Sequence, residues 1–314
     1  MKHKEDVRIL IEIAQMYYYQ ESTQAEISKK FHMSRSLVSK YLKKARELGI
    51  VEIIIHDELH PYKKIEEELL RKFNLTEAIC VSGYHENQIK SAIGEAGAKY
   101  LSRVLKPNCT VGISAGTTVH EVANELKLPL HVSPLTFVPL VGGLGREHSD
   151  IQANVVCDIM ARKTGGLSET FFAPVTVDSI KAKQVFIEQS FIKQSMENMK
   201  NVDIALVGIG GRPTYFNITN AYMHKIDNIP LKESDRVIGD ICYNFIDKDG
   251  KSVNTEWNKR VMAISIDDLK NIPLVIGVAG GSFKVEGIKA ALKNELIDVL
   301  ITDSVTAQMI LKED

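Results

Sequence analysis

The sequence is poor in cysteine: Cys80, Cys109, Cys157 and Cys242 stand far apart in apolar surroundings, with no C-x-x-C pair. Its nine histidines do not cluster near them. Neither a disulfide framework nor a metal site is therefore expected. No apolar run approaches the ~20 residues that a membrane span needs, and no signal peptide opens the chain, so a cytoplasmic location away from membranes is expected. A Walker sequence is missing, and no G-x-G-x-x-G opens a helix after a first strand, which argues against nucleotide chemistry. Internal repeats and low-complexity tracts are absent. One-sided charge is missing too: the formal net charge is −1. A general polyanion binder would be basic throughout, so any basic surface here is local.

Such a surface is present between Ser22 and Gly49. The spacing predicts a short helix from about Thr23 to Phe31, with Thr23 and Glu26 placed for a capping box. A turn at His32-Met33-Ser34 follows. His32 stands where such turns often hold Gly, and His tolerates a left-handed backbone better than most residues. Ser34 is placed to cap a second helix that runs to about Leu48 and stops at Gly49. Leu37, Val38, Tyr41, Leu42 and Ala45 recur at helical spacing on one face, leaving Ser36, Ser39, Lys40, Lys43 and Lys44 on the other. From Lys29 to Arg46 there are seven basic residues and no acidic one. Cap, turn and one-sided basicity together predict a helix-turn-helix whose second helix enters the major groove. The DNA-binding candidates are Ser34, Arg35, Ser36, Ser39, Lys40, Lys43 and Lys44. The first part of that helix reaches bases; Lys43 and Lys44 meet phosphates.

Residues 5–19 place Val7, Leu10, Ile11, Ala14 and Tyr18 along one side, as in the first helix of a three-helix domain. Tyr17 to Tyr19 are expected to pack its small core. Ile50 to His56 is β-rich and would form the wing of a winged helix. With 314 residues there is room for a second domain. The predicted division is 1–56 for DNA binding and 57–314 for the rest. The segment after Pro61 sets Ile65, Leu69 and Phe73 on one stripe. It reads either as a linker helix used in dimer contact or as the first helix of the next domain.

From about Ala78 onward, short β-branched runs alternate with amphipathic stretches: AICVS, a helix near Glu86–Leu105, CTVGI, TFVPLVGG, ETFFAPV, VDIALVGIGG, PLVIGVAGG and DVLITD. This alternation predicts an α/β domain with a parallel sheet covered on both faces. Four strands end in glycine-containing turns (112–116, 142–143, 208–211 and 280–281), where ligands sit in open α/β sheets. In Gly112-Ile113-Ser114-Ala115-Gly116-Thr117-Thr118, hydroxyls stand beside the free N–H groups of a following helix. That suits a phosphate or a polyhydroxylated anion, although a capped turn without ligand gives the same pattern. The loop also spells G-x-S-x-G, the nucleophile elbow of hydrolases. Too few strands precede Ser114, and no Asp-then-His follows in the order a triad requires.

The N-terminal YYYQ…TQAEIS…SRSLVSKYLKKARELGIV resembles the SorC/DeoR-type bacterial regulators. So do VGISAGTT, PLVGGLG, QANVVCDIMA, VGIGG, GDICYNFIDKDG and VAGGSFKVEGIKAAL, in that order across nearly the whole chain. The resemblance implies a winged helix-turn-helix joined to a Rossmann-like sugar-binding domain similar to phosphosugar isomerases and glucosamine-phosphate deaminases. It implies a homodimer or homotetramer whose grip on operator DNA, as repressor of a carbohydrate-catabolic operon, is modulated by a sugar or sugar-phosphate effector. Gly116, Thr117 and Thr118 match the loop that holds the effector's phosphate, beside Ser114, and Gly142 and Gly143 match a second loop. Gln152 and Asn154 match positions facing sugar hydroxyls, Asp240 an acidic position contacting hydroxyls, and Lys284 a basic residue near the ligand. A helix-capping Asp240 and a solvated Lys284 are the plain alternatives. Val141 departs from the pattern, because some relatives carry a basic residue immediately before Gly142-Gly143; Arg146 follows four residues after Gly142. No catalytic residue, cofactor or metal is implied. The competing class is a sugar-phosphate isomerase or deaminase with an appended DNA-binding domain. It would need a general base, and no tight carboxylate run of the D-G-A-D-E kind is present.

Overall fold

The computed structural model describes residues 2–51, 61–83, 86–127, 134–145, 148–213 and 236–312. The chain divides into two compact units, Met1–Pro61 and Tyr62–Asp314. The boundary expected at His56 falls within 52–60, outside the described residues, as does the expected wing beyond Val51.

In the first unit, α1 (Lys2–Tyr18), α2 (Gln24–Lys30) and α3 (Arg35–Glu47) close on Ile13, Met16, Ile27, Val38 and Leu42. Tyr17 and Tyr18 pack against this core edge to face, with ring centroids 4.9 Å apart. Tyr19 does not: it lies past the end of α1 and is 87% exposed. Leu37 also departs from expectation. It sits in the first turn of α3 and stays exposed, so the buried stripe is Val38, Leu42 and Ala45, with Tyr41 half-buried.

The second unit opens with α4 (Lys63–Lys72), whose Leu69 is fully buried while Ile65 and Phe73 pack on the unit's own core. The stripe therefore belongs to this domain's interior, as its first helix. The following elements are β1 (Glu77–Val81), α5 (Glu86–Val104), β2 (Thr110–Ile113), α6 (Thr117–Glu125), β3 (Thr136–Pro139), α7 (Ala153–Thr164) and β4 (Leu167–Ser168). Next come α8 (Ile180–Glu188), α9 (Ser190–Lys200), β5 (Ile204–Gly211), β6 (Gly239–Ile241), β7 (Asn244–Ile246), α10 (Glu256–Arg260) and α11 (Ile266–Lys270). The chain closes with β8 (Val275–Val278), α12 (Val285–Lys293), β9 (Val299–Asp303) and α13 (Ser304–Leu311).

The sheet runs β1-β9-β8-β5-β2-β3-β4, with every neighbouring pair on this path parallel. Residues of α5, α6 and α7 build the core on one face; α4, α12 and α13 contribute to the other. Central strands buried on both faces explain runs such as Ile204–Val207 and Val299–Ile301, apolar without alternation. One expected strand is absent. Glu169–Val175 keeps only an isolated bridge, Pro174 with Gly143, and at Phe171 the Asn154 side chain takes both the N–H and the C=O (3.0 and 3.1 Å) in place of a ladder partner. From β2 the chain passes to β3 on one side, and from β5 to β8 on the other. The adjacent pair β2–β5 is thus the topological switch point, where a crevice opens beyond the strands' carboxyl ends.

Candidate functional site

In the first unit the capping box forms: Glu26 N–H donates to Thr23 Oγ1 (3.3 Å), and Thr23 N–H donates to Glu26 Oε2 (2.8 Å). The Thr23 N–H and the Thr23 hydroxyl, both donating to Glu26 Oε2 at 2.8 Å, favour the ionised form and hold the Glu26 carboxyl below its ordinary range. His32 adopts the left-handed backbone (φ 50°) and Met33 turns toward the core. Ser28 Oγ donates to Met33 O (2.6 Å), fixing the turn. Ser34 caps α3 by accepting from Leu37 N–H (3.2 Å). Arg35, Ser36, Ser39, Lys40, Lys43 and Lys44 are all exposed along that helix. Lys43 also makes an exposed pair with Glu47 at 3.8 Å, a contact of small energetic weight. A basic, solvent-facing helix held by a buried stripe is the shape that major-groove reading requires.

In the second unit a cavity of about 350 Å³ opens at the switch point. The β2–α6 turn lines it with Ala115 to Val119, the end of β5 with Gly208 to Gly211, and β6 with Asp240. Cys242, Tyr243, Phe283, Lys284, His148 and Lys90 complete the wall. Gly116 is the residue before α6 and has φ 137°, a conformation side chains rarely adopt. Its N–H donates to Ile151 O (3.1 Å), so the turn is anchored from outside the helix. The first N–H groups of α6 have no partner inside the helix, and Thr117 and Thr118 at its start line the cavity.

Asp240 and Lys284 are half-buried on this wall. Burial raises the Asp240 carboxyl to about 6, against the pull of Lys284 and of a hydrogen bond from the Tyr243 N–H. Burial likewise lowers the Lys284 ammonium to about 8, with Asp240 opposing and Lys90 adding to the shift. Both ions are held short of full hydration, a state that a ligand bearing hydroxyls and negative charge relieves. The turn that presents Tyr243 is itself unusual, since Cys242 and Tyr243 both have positive φ (48° and 59°). It is held from three directions. Trp257 Nε1 donates to Tyr243 O (2.7 Å), and Asn244 Nδ2 donates to Cys242 O (3.1 Å) and Ile264 O (2.9 Å).

The structure brings Gly116, Thr117, Thr118, Asp240 and Lys284 to one cavity. The other sequence-derived candidates are placed differently. Ser114 is buried, accepts from Gly208 N–H (3.1 Å) and donates to Ala115 O (3.3 Å), tying β2 to β5. A nucleophile elbow would instead expose this hydroxyl. Gly142 and Gly143 donate to Met262 O and Ala173 O, both at 2.8 Å. Gln152 bridges the Leu144 N–H (3.3 Å) and Gly145 O (2.7 Å), while Asn154 is held by Phe171. Gly142, Gly143 and Gln152 brace the loop after β3, and Asn154 holds the segment after β4, rather than line the cavity. Val141 is buried beside them, and Arg146 lies outside the described residues. Lys90, His148, Tyr243 and Phe283 also line the cavity; Tyr243 and Phe283 stand within the GDICYNFIDKDG and VAGGSFKVEGIKAAL stretches, whereas Lys90 and His148 come from segments with no motif of their own.

All four cysteines are buried and unpaired with one another, and burial pushes the Cys80 thiol up to about 12 and Cys109 to about 11. No helix among the described residues is long and apolar enough to cross a membrane.

Comparison with known proteins agrees with this division. Residues 58–312 match the family described as "Putative sugar-binding domain", and residues 6–52 match a winged helix-turn-helix DNA-binding family. The chain is 31% identical to the sorbitol operon regulator of Klebsiella pneumoniae over 99% of its own length and all of that protein. It is 28% identical to the deoxyribonucleoside regulator of Bacillus subtilis (strain 168), with 99% of both chains covered. The crystal structure of the full-length sorbitol operon regulator SorC from Klebsiella pneumoniae superposes with a TM-score of 0.76 at 30% identity, covering 98% of this chain and 100% of that one. These relatives are transcriptional regulators, which sets aside the enzyme alternative. A DNA-binding winged helix-turn-helix and a parallel-sheet sugar-binding domain in one chain place it among its relatives: the protein belongs to the SorC/DeoR family of transcriptional regulators.

Proposed function

We propose that this regulator represses a carbohydrate-catabolic operon and that a sugar or sugar phosphate, bound in the cavity at the β2–β5 switch point, alters its affinity for operator DNA. The observation that carries the reading is the convergence of the start of α6, the Lys284 ammonium and the Asp240 carboxylate on one cavity. The helix start and Lys284 suit an anionic group, and Asp240 accepts from paired hydroxyls. Thr117 and Thr118 add hydroxyls beside the anion position. Two relatives are named for sorbitol and for deoxyribonucleosides, compounds rich in hydroxyls or built on a sugar. Arg35, Ser36, Ser39 and Lys40 read base edges, Lys43 and Lys44 contact phosphates, and Ser34 holds the helix start. One recognition helix per chain gives little specificity, so a homodimer or homotetramer reads paired half-sites at multiples of about 34 Å.

An effector acts only by binding one state better than the other. A coupling of about 1–3 kcal/mol changes operator affinity roughly 5- to 150-fold. The test is operator affinity by fluorescence anisotropy against rising concentrations of sugars and sugar phosphates. At least one compound should shift the curve in wild type and fail to shift it in Asp240→Ala. If no sugar or sugar phosphate changes operator affinity, or if Asp240→Ala responds as wild type does, the reading is wrong.

A further inference from the structure

The stretch 167–191 leaves Leu167, Phe172, Ile180, Val185 and Phe191 exposed, five of the twelve large hydrophobic residues exposed among those described. Phe172 and Phe191 are 68% and 58% exposed and rest against each other, ring centroids 5.8 Å apart. Phe191 opens α9 directly after α8, and α9 is tied to the segment after β4 by Asn198 Nδ2 donating to Glu169 (3.0 and 2.9 Å). Leu167 lies in β4, the last strand of the sheet order. Apolar side chains gathered in this way mark an interaction surface, whereas single ones need no explanation.

The helix α8 adds direction. None of its residues is fully buried; its inner side, Ala182, Phe186 and Ile187, packs partly buried on the core. Its outer side presents Ile180, Lys181, Gln184, Val185 and Glu188. Lys181 and Glu188 are seven residues apart, which puts them two turns from each other on one face, with Val185 between them. A face with a cation at one end, an anion at the other and an apolar centre is complementary to itself in antiparallel array. A two-fold axis through the middle of α8 sets Lys181 against the partner copy's anionic end and Val185 against an apolar centre. That is the arrangement of an isologous contact.

We propose that the outer face of α8, with the Phe172–Phe191 pair beside it, is the surface on which a second copy of this chain docks. The inference rests on the reading that the protein binds DNA as a symmetric assembly. It also replaces the stripe on α4 as the candidate interface, since that stripe is taken up by its own domain.

The test uses the full chain without DNA or effector, in sedimentation velocity at micromolar concentration, with circular dichroism to confirm folding. Wild type should sediment as a dimer or larger. Lys181→Glu and Glu188→Lys each set like charges across the axis and should weaken association at least about tenfold. An equimolar mixture of the two variants should recover it, because each Glu-bearing face then meets a Lys-bearing one. Val185→Glu should dissociate the assembly without recovery in any mixture. A wild-type monomer, or variants that associate as wild type does, would overturn the proposal. Because no DNA or effector is present, that failure is distinct from a missing effector response in the operator assay.

Discussion

The carboxylate of Asp240 lies over the α-carbon of Gly210, its registered neighbour across the β5–β6 ladder, in space that any β-carbon at 210 would occupy. The same glycine offers its carbonyl to the close approach of Gly287 on α12, so the helix behind Lys284 also packs onto this point. The Asp240 carboxylate and the helix that follows Lys284 therefore both pack against one residue without a side chain.

Gly210→Ala should consequently damage the cavity more than its size suggests. The added methyl must displace the Asp240 carboxylate, at an expected cost of about 1–3 kcal/mol of stability, in the range of overpacking. Thermal unfolding reads the first effect and effector titration the second. A variant with wild-type melting and wild-type effector response would show that the carboxylate moves freely.

The two shifted groups predict a pH window. Folded Asp240 titrates at about 6 instead of 3.8, so its effect on stability favours the folded state below about 3.8 and is lost as pH rises through about 6. Folded Lys284 loses its proton at about 8 instead of 10.5, so the cost of its buried charge is present below pH 8 and is relieved from there to 10.5. A ligand with hydroxyls and an anionic group needs the carboxylate and the ammonium together. Calorimetric effector affinity should be highest between about pH 6 and 8 and fall on both sides. Asp240→Asn should flatten the acid limb and, by removing the carboxylate that supports the Lys284 ammonium, move the alkaline limb to lower pH.

Ser114 and Thr117 are close in sequence but should behave differently. Ser114→Ala leaves the half-buried Gly208 N–H without its acceptor and should lower stability by about 1 kcal/mol. Thr117→Val removes a hydroxyl from the cavity wall; it should leave melting unchanged and weaken effector binding. Equal melting losses in both variants would contradict this assignment.

On the DNA side, Arg35→Ala should cost about 1–3 kcal/mol at the preferred operator and relax sequence preference, if Arg35 reads a guanine. Lys44→Ala should weaken all sequences alike and reduce the salt slope by about one. Competition binding at two salt concentrations separates the two effects. Identical profiles for both variants would place the base-reading residues elsewhere.

The helix-turn-helix was largely legible in the sequence because its determinants are local. Thr23 with Glu26, Ser34 at a helix start, His32 in a left-handed turn and Gly49 at a helix end each act within four residues. The parallel sheet was legible too, since strands buried on both faces must read as continuous apolar runs between amphipathic helices. What the sequence could not state was strand order. Only the order β1-β9-β8-β5-β2-β3-β4 places residues 114–119 beside 208–211 and makes the β2–β5 pair a crevice. It likewise could not separate Gln152 and Asn154, which satisfy main-chain groups, from Lys90 and His148, which reach the cavity. Caps, turns and periodicity are written in neighbouring residues. A cavity is written in residues that share no stretch of chain, and only their packing brings them together.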